Sequence, residues 1–432
     1  MQTESQRTHW YATWMRDYQE ILNSKLSSLP VPMNLVLPSG QVFGPKGANL
    51  RLSINDKPTL LKLTDGNLGA LGEAIVEGRA DFTGKVRDLM SAAVGLLNQD
   101  PTTESPRGNW LFNKLTNIKS RRAHTPSRDL EQIQFHYDLS DEFFELWLDP
   151  KRVYSCGYFK SEQDTLAVAQ EAKLDLICKK LNLQASERFL DIGCGWGGLM
   201  LWAAVHYKVH AVGITLSQHQ FDYVSRRISE MGLEETVQVR LLDYRCLDSN
   251  TTFDKIASVG MFEHVGSAHL NEYFQSLLKL LRPGGWVLNH GITSGGIDCH
   301  NLGAGMGDFI EKYIFPGGEL EPIQDVICSV AASGLEIVDV ENLRPHYAKT
   351  LWAWSRNLEE QLDIALSVLR KRMPAEQAVK ILRAYRLYLA GCAIGFEQGW
   401  SSLYQILAIR PGPKTKDSYP YTRHFIYEAQ RN

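Results

Sequence analysis

No run of roughly eighteen or more apolar residues occurs in this chain, so no segment of it reads as a membrane-spanning helix. Its seven cysteines are scattered, with no C-x-x-C pair and no zinc-ligand spacing. An odd, dispersed set suits a reducing compartment and excludes a disulfide scaffold. His264, His290 and His300 are the nearest thing to a metal set, and their spacing is wrong for one, so no metal is expected. Charge is almost balanced, 46 basic against 49 acidic residues for a net of −3, so no global field draws nucleic acid and no such partner is expected. Met1 to Met15 is polar and aromatic without an apolar signal core, which points to a cytoplasmic location. There is no internal repeat and no low-complexity tract.

What remains is an ordinary globular composition long enough for two or three domains. Thr8 to Ser24 carries Trp10, Tyr11, Trp14, Met15, Tyr18, Ile21 and Leu22 at helical spacing. Met33 to Leu37 and Leu50 to Ile54 alternate as strands around turn residues, and an amphipathic helix runs to Leu97. Residues 1–106 therefore read as a small α+β unit with a leading helix. From Arg107 to Arg128 there are six basic residues and no acid. This stretch, 107–128, reads either as a linker that docks on anionic lipid headgroups, at about 1 kcal/mol per charge, or as a solvated flexible linker.

Residues 129–411 alternate strand and helix, the pattern of a doubly wound α/β sheet. Strands are expected at Arg188 to Leu190, His210 to Ile214, Val237 to Leu241, Lys255 to Val259, Trp286 to His290, Leu335 to Asp339 and Leu403 to Ala408. Arg282 to Gly285 reads as a turn feeding the fifth of these, and Leu351 to Gln398 as an insertion of long helices. Residues 412–432 are expected to be a poorly ordered tail.

The most informative segment is Leu190-Asp191-Ile192-Gly193-Cys194-Gly195-Trp196-Gly197-Gly198, between an apolar strand and an apolar helix start. Strand, glycine turn and helix bring bare backbone close to a nucleotide-like ligand. The segment resembles the first motif of S-adenosylmethionine (SAM) methyltransferases. Strand ends of an open α/β sheet converge on one pocket. They would contribute Asp191, Gly193, Gly195 and Gly197, then Thr215, Ser217 and Gln220, then Asp243 and Tyr244. Hydroxyls and an amide follow the second strand, where most methyltransferases carry an acid; they can bind ribose hydroxyls without a charge.

Further clusters are rich in aromatics: Phe135 to Leu139, Val153 to Phe159, Gly260 to Gly266, Leu288 to Ile292 and Phe309 to Gly317. With the G-E-x-x-x-x-G-x-x-D-x-x-G pattern at Gly72 to Gly84, they resemble the cyclopropane-fatty-acyl-phospholipid synthases and the related mycolic acid methyltransferases. The resemblance runs from Met33 to Arg410. It implies transfer of a methylene from SAM to a cis double bond of phospholipid acyl chains, with bicarbonate as the base. It assigns Cys156, Glu263, His290, Ile292 and Tyr347 to the anion and proton chemistry, and adds Tyr137, Tyr154 and Ser155 to the SAM site. Phe159, Phe262, Phe309 and Tyr313 would line a dry substrate pocket whose aromatic faces stabilise a passing cation. It also implies that the N-terminal module, residues 1–106, docks on lipid and positions the acyl chain, with a peripheral association at the inner membrane face and a homodimer. After the first histidine the family reads Y-D-x-G-N; here stands Tyr137-Asp138-Leu139-Ser140-Asp141. That departure, with a long helical insertion, leaves a methyl- or methylene-branched product open. Rival readings are a small-molecule methyltransferase, which would lack the N-terminal module, and a non-catalytic lipid-binding protein.

Overall fold

The computed structural model describes residues 19–97, 100–103, 139–248, 251–297, 299, 302–412 and 419–427. Of the expected leading helix only the end, helical from residue 19 to 27, lies within them. The aromatic stripe from Trp10 to Tyr18, the basic linker and Tyr137 lie outside the described residues.

The N-terminal module is a four-stranded sheet of β1 (Met33–Val36), β2 (Val42–Phe43), β3 (Leu50–Ile54) and β4 (Ala80–Thr83) in the order β2-β1-β3-β4. Alternation in β3 sends Leu50, Leu52 and Ile54 inward and Arg51 outward. Helices Lys57–Thr64 and Leu68–Val76 connect β3 to β4. Asp56 and Asn67 start them, each side chain accepting a backbone N–H, at 2.7 Å from Thr59 and 2.8 Å from Ala70. Helix Val86–Leu96 follows.

The larger sheet holds β5 (Arg188–Ile192), β6 (His210–Thr215), β7 (Val237–Leu241), β8 (Phe253–Val259), β9 (Leu281–Ser294), β10 (Glu336–Asn342) and β11 (Ser401–Ile409). Its order is β10-β11-β9-β8-β5-β6-β7, with β11 antiparallel to both neighbours and the pairs from β9 to β7 parallel. Successive residues of β5 feed opposite layers. Phe189 packs with helices Leu166–Lys180 and Gly198–Tyr207, while Leu190 packs with helices Leu270–Leu280 and Ile323–Ala332. A sheet covered on both faces has near-continuous apolar strands, which is why these were readable.

Two expectations need correction. Arg282 to Gly285 is no separate turn; it lies inside β9 as an irregularity where the pairing to β8 jumps from Phe253–Leu281 to Lys255–Trp286. The Gly284 and Gly285 backbone there bonds to Arg410. The tail is also not wholly loose. Within residues 419–427, Ile426 is buried, Arg423 pairs with Asp339 at 2.6 Å, and Phe425 meets Trp286 edge-on.

The module does not stand apart. One apolar core joins Leu52, Leu71 and Leu89 of the module to Phe143, Trp147, Tyr385 and Tyr388. Gly69 donates its N–H to Ala304 at 2.9 Å, and a β-carbon at Gly69 would fall 1.7 Å from the Gly305 oxygen, so only glycine permits that approach. Lys312 pairs with Glu73, Tyr313 donates to Glu77 at 3.0 Å, and Arg383 donates to the Ile75 carbonyl at 3.2 Å.

Candidate active site

The chain order of the sheet reverses between β8 and β5, and a crevice at such a switch point is where open α/β sheets take ligands. A cavity of about 560 Å³ lies there. Gly193, Gly195 and Gly197 have φ of +71°, +55° and +81°, the left-handed region that excludes most side chains. A β-carbon at Gly195 would meet no atom within 4 Å, because that face of the backbone is open to the cavity. Gly197 stands behind the wall and starts helix Gly198–Tyr207.

Asp191, at the end of β5, is 2% exposed and its Oδ2 has no partner. Burial pushes its carboxyl up to about 7, opposed by the nearby Lys173 ammonium. Lys173 is itself buried on the cavity wall and donates to Ser155 Oγ at 2.9 Å. Burial lowers its ammonium to about 8, against the opposing pull of Cys156, Asp149 and Asp191. From β6, Thr215 Oγ1 donates to Gln220 Oε1 at 2.7 Å and both line the cavity. Ser217 does not; its hydroxyl caps helix Gln218–Glu230 by accepting the Gln220 N–H. Asp243 and Tyr244 reach the wall after β7. The Asp243 carboxylate is already shared with Arg245, whose Nε and Nη2 donate at 2.9 and 2.6 Å. Tyr244 stands edge-on to Tyr273, with centroids 5.4 Å apart.

A second cavity, about 290 Å³ and mostly apolar, meets the first along Tyr154, Ser155, Gly260 and His264, which line both. Cys156, Glu263, His290, Ile292 and Tyr347 all lie on its wall, drawn from four separate stretches of chain, with His290 and Ile292 both on β9. Glu263, in the turn after β8, accepts the Ile292 N–H at 2.7 Å through Oε1, and its Oε2 has no partner. Burial pushes its carboxyl up to about 7. His290, on β9, pairs in register with Gln405 on β11, and the Gln405 amide meets His290 Nδ1 at 3.1 Å. With the amide as donor, the neutral imidazole carries its proton on Nε2, which is buried without a partner. Burial holds the imidazole well below its usual range, so it is neutral. The Cys156 thiol is fully buried and donates to the Gly157 carbonyl; burial pushes its pKa up, so it is no thiolate nucleophile. The Tyr347 ring packs tilted against Phe396, with centroids 4.7 Å apart.

Several expected pocket residues sit elsewhere. Phe309 lines the apolar cavity, but Phe159, Phe262 and Tyr313 do not. Phe159 lies near-parallel to the His346 ring, its centroid 6.4 Å away, under the Lys349 ammonium. Phe262 packs into the core beneath Gly291, where a β-carbon would strike its ring. Tyr313 turns outward to Glu77. The Ile292 N–H, expected to serve an anion, is held by Glu263. Sequence reasoning also missed Gln405, Lys173 and Tyr388, whose hydroxyl lies 3.1 Å from that of Tyr154 at the seam of the cavities. A glutamine inside the apolar run Leu403 to Ala408 was the one available signal. Among the described residues no cluster of His, Cys, Asp and Glu has the arrangement of a metal site.

The open sheet, glycine loop and switch-point cavity are those of a SAM-dependent methyltransferase. Coclaurine N-methyltransferase, solved with N-methylheliamine and SAH, shares this fold at 21% identity and a TM-score of 0.56, over 69% of this chain and 94% of its own. The chain belongs to the mycolic acid cyclopropane synthetase family, whose description matches residues 124–406. It is 41% identical to a probable fatty acid methyltransferase of Pseudomonas putida, over 93% of this chain and 98% of that protein. The solved mycolic acid cyclopropane synthase CmaA1, complexed with SAH and CTAB, aligns at 36% identity and a TM-score of 0.59, covering 65% of this chain and 98% of its own. The cyclopropane synthase MmaA2 of Mycobacterium tuberculosis aligns at 36% identity and a TM-score of 0.58, with the same coverage.

Proposed function

We propose that this protein converts cis double bonds in phospholipid acyl chains to cyclopropane rings, using SAM as the one-carbon donor. The observation that carries the reading is the junction itself. A cavity of mixed polarity opens beside a mostly apolar one, and two buried, unpartnered polar atoms, Glu263 Oε2 and His290 Nε2, stand on the apolar side.

SAM supplies an electrophilic methyl group. An isolated alkene is a weak nucleophile, so holding its π bond in line with that methyl is most of what the protein can contribute. The alkene electrons form the new C–C bond as the C–S bond breaks, leaving a cation on the chain. Loss of a proton from the transferred carbon lets its electron pair close the ring. Water would trap the cation, so the apolar wall must keep the site dry. Tyr154, Phe309 and Tyr388 offer aromatic faces along that wall.

Glu263 is suited to the proton. Its free oxygen is buried, and a carboxyl at about 7 holds or releases a proton near neutrality. A bicarbonate would supply a base for the same proton. The site fits a small anion in part, since His290 Nε2 can donate to it beside Tyr347. Ile292 and Cys156 would first have to give up the Glu263 carboxylate and the Gly157 carbonyl to which they respectively donate. The N-terminal module would position the acyl chain, and the protein would work at the inner membrane face; among the described residues no helix is long and apolar enough to cross a membrane.

The test supplies SAM and vesicles of unsaturated phospholipid, then reads acyl mass. A gain of one CH₂ with a ring proton resonance supports the reading. The same mass with a methylene or methyl resonance gives the branching alternative, and no gain on any unsaturated lipid removes both.

A further inference from the structure

The wall of the apolar cavity is not built by the catalytic domain alone. Leu71, Ile75, Met90 and Ala93 come from the N-terminal module, which lies outside the family match at residues 124–406. Opposite them runs helix Ala375–Gln398, which presents Leu387, Tyr388, Gly391, Ile394 and Gly395 to the cavity at helical spacing.

Gly391 breaks a local rule there. Glycine in a helix interior costs stability relative to alanine, so it needs a reason. Packing does not supply one: a β-carbon at 391 would meet nothing nearer than Met90 Sδ at 3.9 Å. The missing side chain leaves room that belongs to the cavity. Methionine across from it is flexible and fills space adaptably. The same cavity holds the buried, unpartnered Glu263 Oε2 and His290 Nε2, which mark where a ligand reacts.

Building on the lipid reading above, we propose that Met90 and Gly391 together set the reach of the acyl cavity and so select the position of the double bond along the chain. A double bond reacts only when it lies against Glu263 and His290. The chain beyond it must then fit the space that Met90 and Gly391 help to bound. Positional isomers that place one methylene too many against this pair are rejected; in an apolar pocket one methylene is worth about 10–200-fold.

The test uses the full-length protein with SAM and vesicles of phosphatidylethanolamine carrying octadecenoyl chains with the cis bond at several positions. Products are quantified in competition, and SAM affinity is measured by calorimetry. Gly391→Leu shortens the space and should change the ratio between isomers at least about tenfold, with SAM affinity unchanged. Met90→Ala lengthens it and should move the ratio the opposite way. If Gly391→Leu does not fold, Met90→Trp shortens the space from the module side and must reproduce its shift. An equal loss on all isomers, or an unchanged ratio, overturns the proposal. Wild-type protein inactive on every isomer would instead overturn the lipid reading.

Discussion

The two cavities share a wall but are made differently. The donor cavity is assembled mainly from strand ends and the turns that follow them: the loop after β5, Thr215 and Gln220 after β6, Asp243 and Tyr244 after β7. The apolar cavity, proposed to take the acyl chain, draws on the module helices, the turn after β8, β9, β11 and helix Ala375–Gln398. Each segment of the first site is therefore local in sequence, a strand end and its loop, while the second is tertiary. A local site depends on backbone conformation, which glycines announce. A tertiary site depends on which way each side chain points, which composition does not announce.

The largest expected effect falls on the tertiary cavity. Glu263→Gln keeps the shape and the Ile292 contact but cannot take a proton. Turnover should fall about 10²–10⁴-fold, while SAM affinity measured by calorimetry stays at the wild-type value. A full rate in this variant would remove Glu263 from the proton step. Gly195→Val makes the complementary break. A branched residue at φ +55° costs about 1–2 kcal/mol in backbone alone and projects into the donor cavity. SAM binding should weaken by at least about tenfold, with the fold retained by circular dichroism. Unaltered binding would mean the loop does not hold the donor.

These two variants follow what was legible. Strands β5 to β9 were readable because a doubly covered sheet keeps them apolar, and the glycine loop because its φ values demand glycine. The aromatics were not. Phe159, Phe262 and Tyr313 have the composition of pocket residues, yet one lies by His346, one in the core and one against Glu77. Gln405 was invisible for the opposite reason: it lies more than a hundred residues from His290 and meets it only because β11 inserts antiparallel beside β9. A part for the module in placing the acyl chain was expected from the resemblance, but the residues it contributes were hidden, since they depend on the docking of helix Leu68–Val76.

A pH series sharpens the contrast through stability. Glu263 titrates at about 7 when folded, above its ordinary 4.5, because burial disfavours the anion. Below 4.5 both states hold the proton. Between 4.5 and about 7 the unfolded chain ionises first, so this group's stability is lost as pH rises. Glu263→Gln cannot ionise and should gain thermal stability relative to wild type across that window, with Asp191 contributing equally to both. A constant difference in Tm from pH 4.5 to 7.5 would show that Glu263 is not held by burial. Gln405→Leu should act more weakly. It removes one buried hydrogen bond, worth about 0.5–1.5 kcal/mol, and frees His290 to change tautomer. Turnover should fall up to about tenfold and its pH profile should shift, with SAM affinity unchanged; an unmoved profile would make Gln405 mere packing.

The smallest expected effect probes the seam between the module and the catalytic domain. Tyr313 is half-buried, and its hydroxyl donates to Glu77 across that seam at 3.0 Å. Tyr313→Phe deletes this bond and leaves the ring against Phe309. Glu77 keeps its ion pair to Lys380 at 3.0 Å, so the loss in stability should stay below about 1 kcal/mol. Its consequence should nevertheless be one-sided. Phe309 lines the acyl cavity, whereas no residue of this seam lines the donor cavity. Lipid turnover should drop slightly or its isomer ratio shift, and SAM affinity should not change. Were SAM binding to weaken as much as lipid turnover, the two cavities would be one mechanical unit, and the division between a local and a tertiary site would fail.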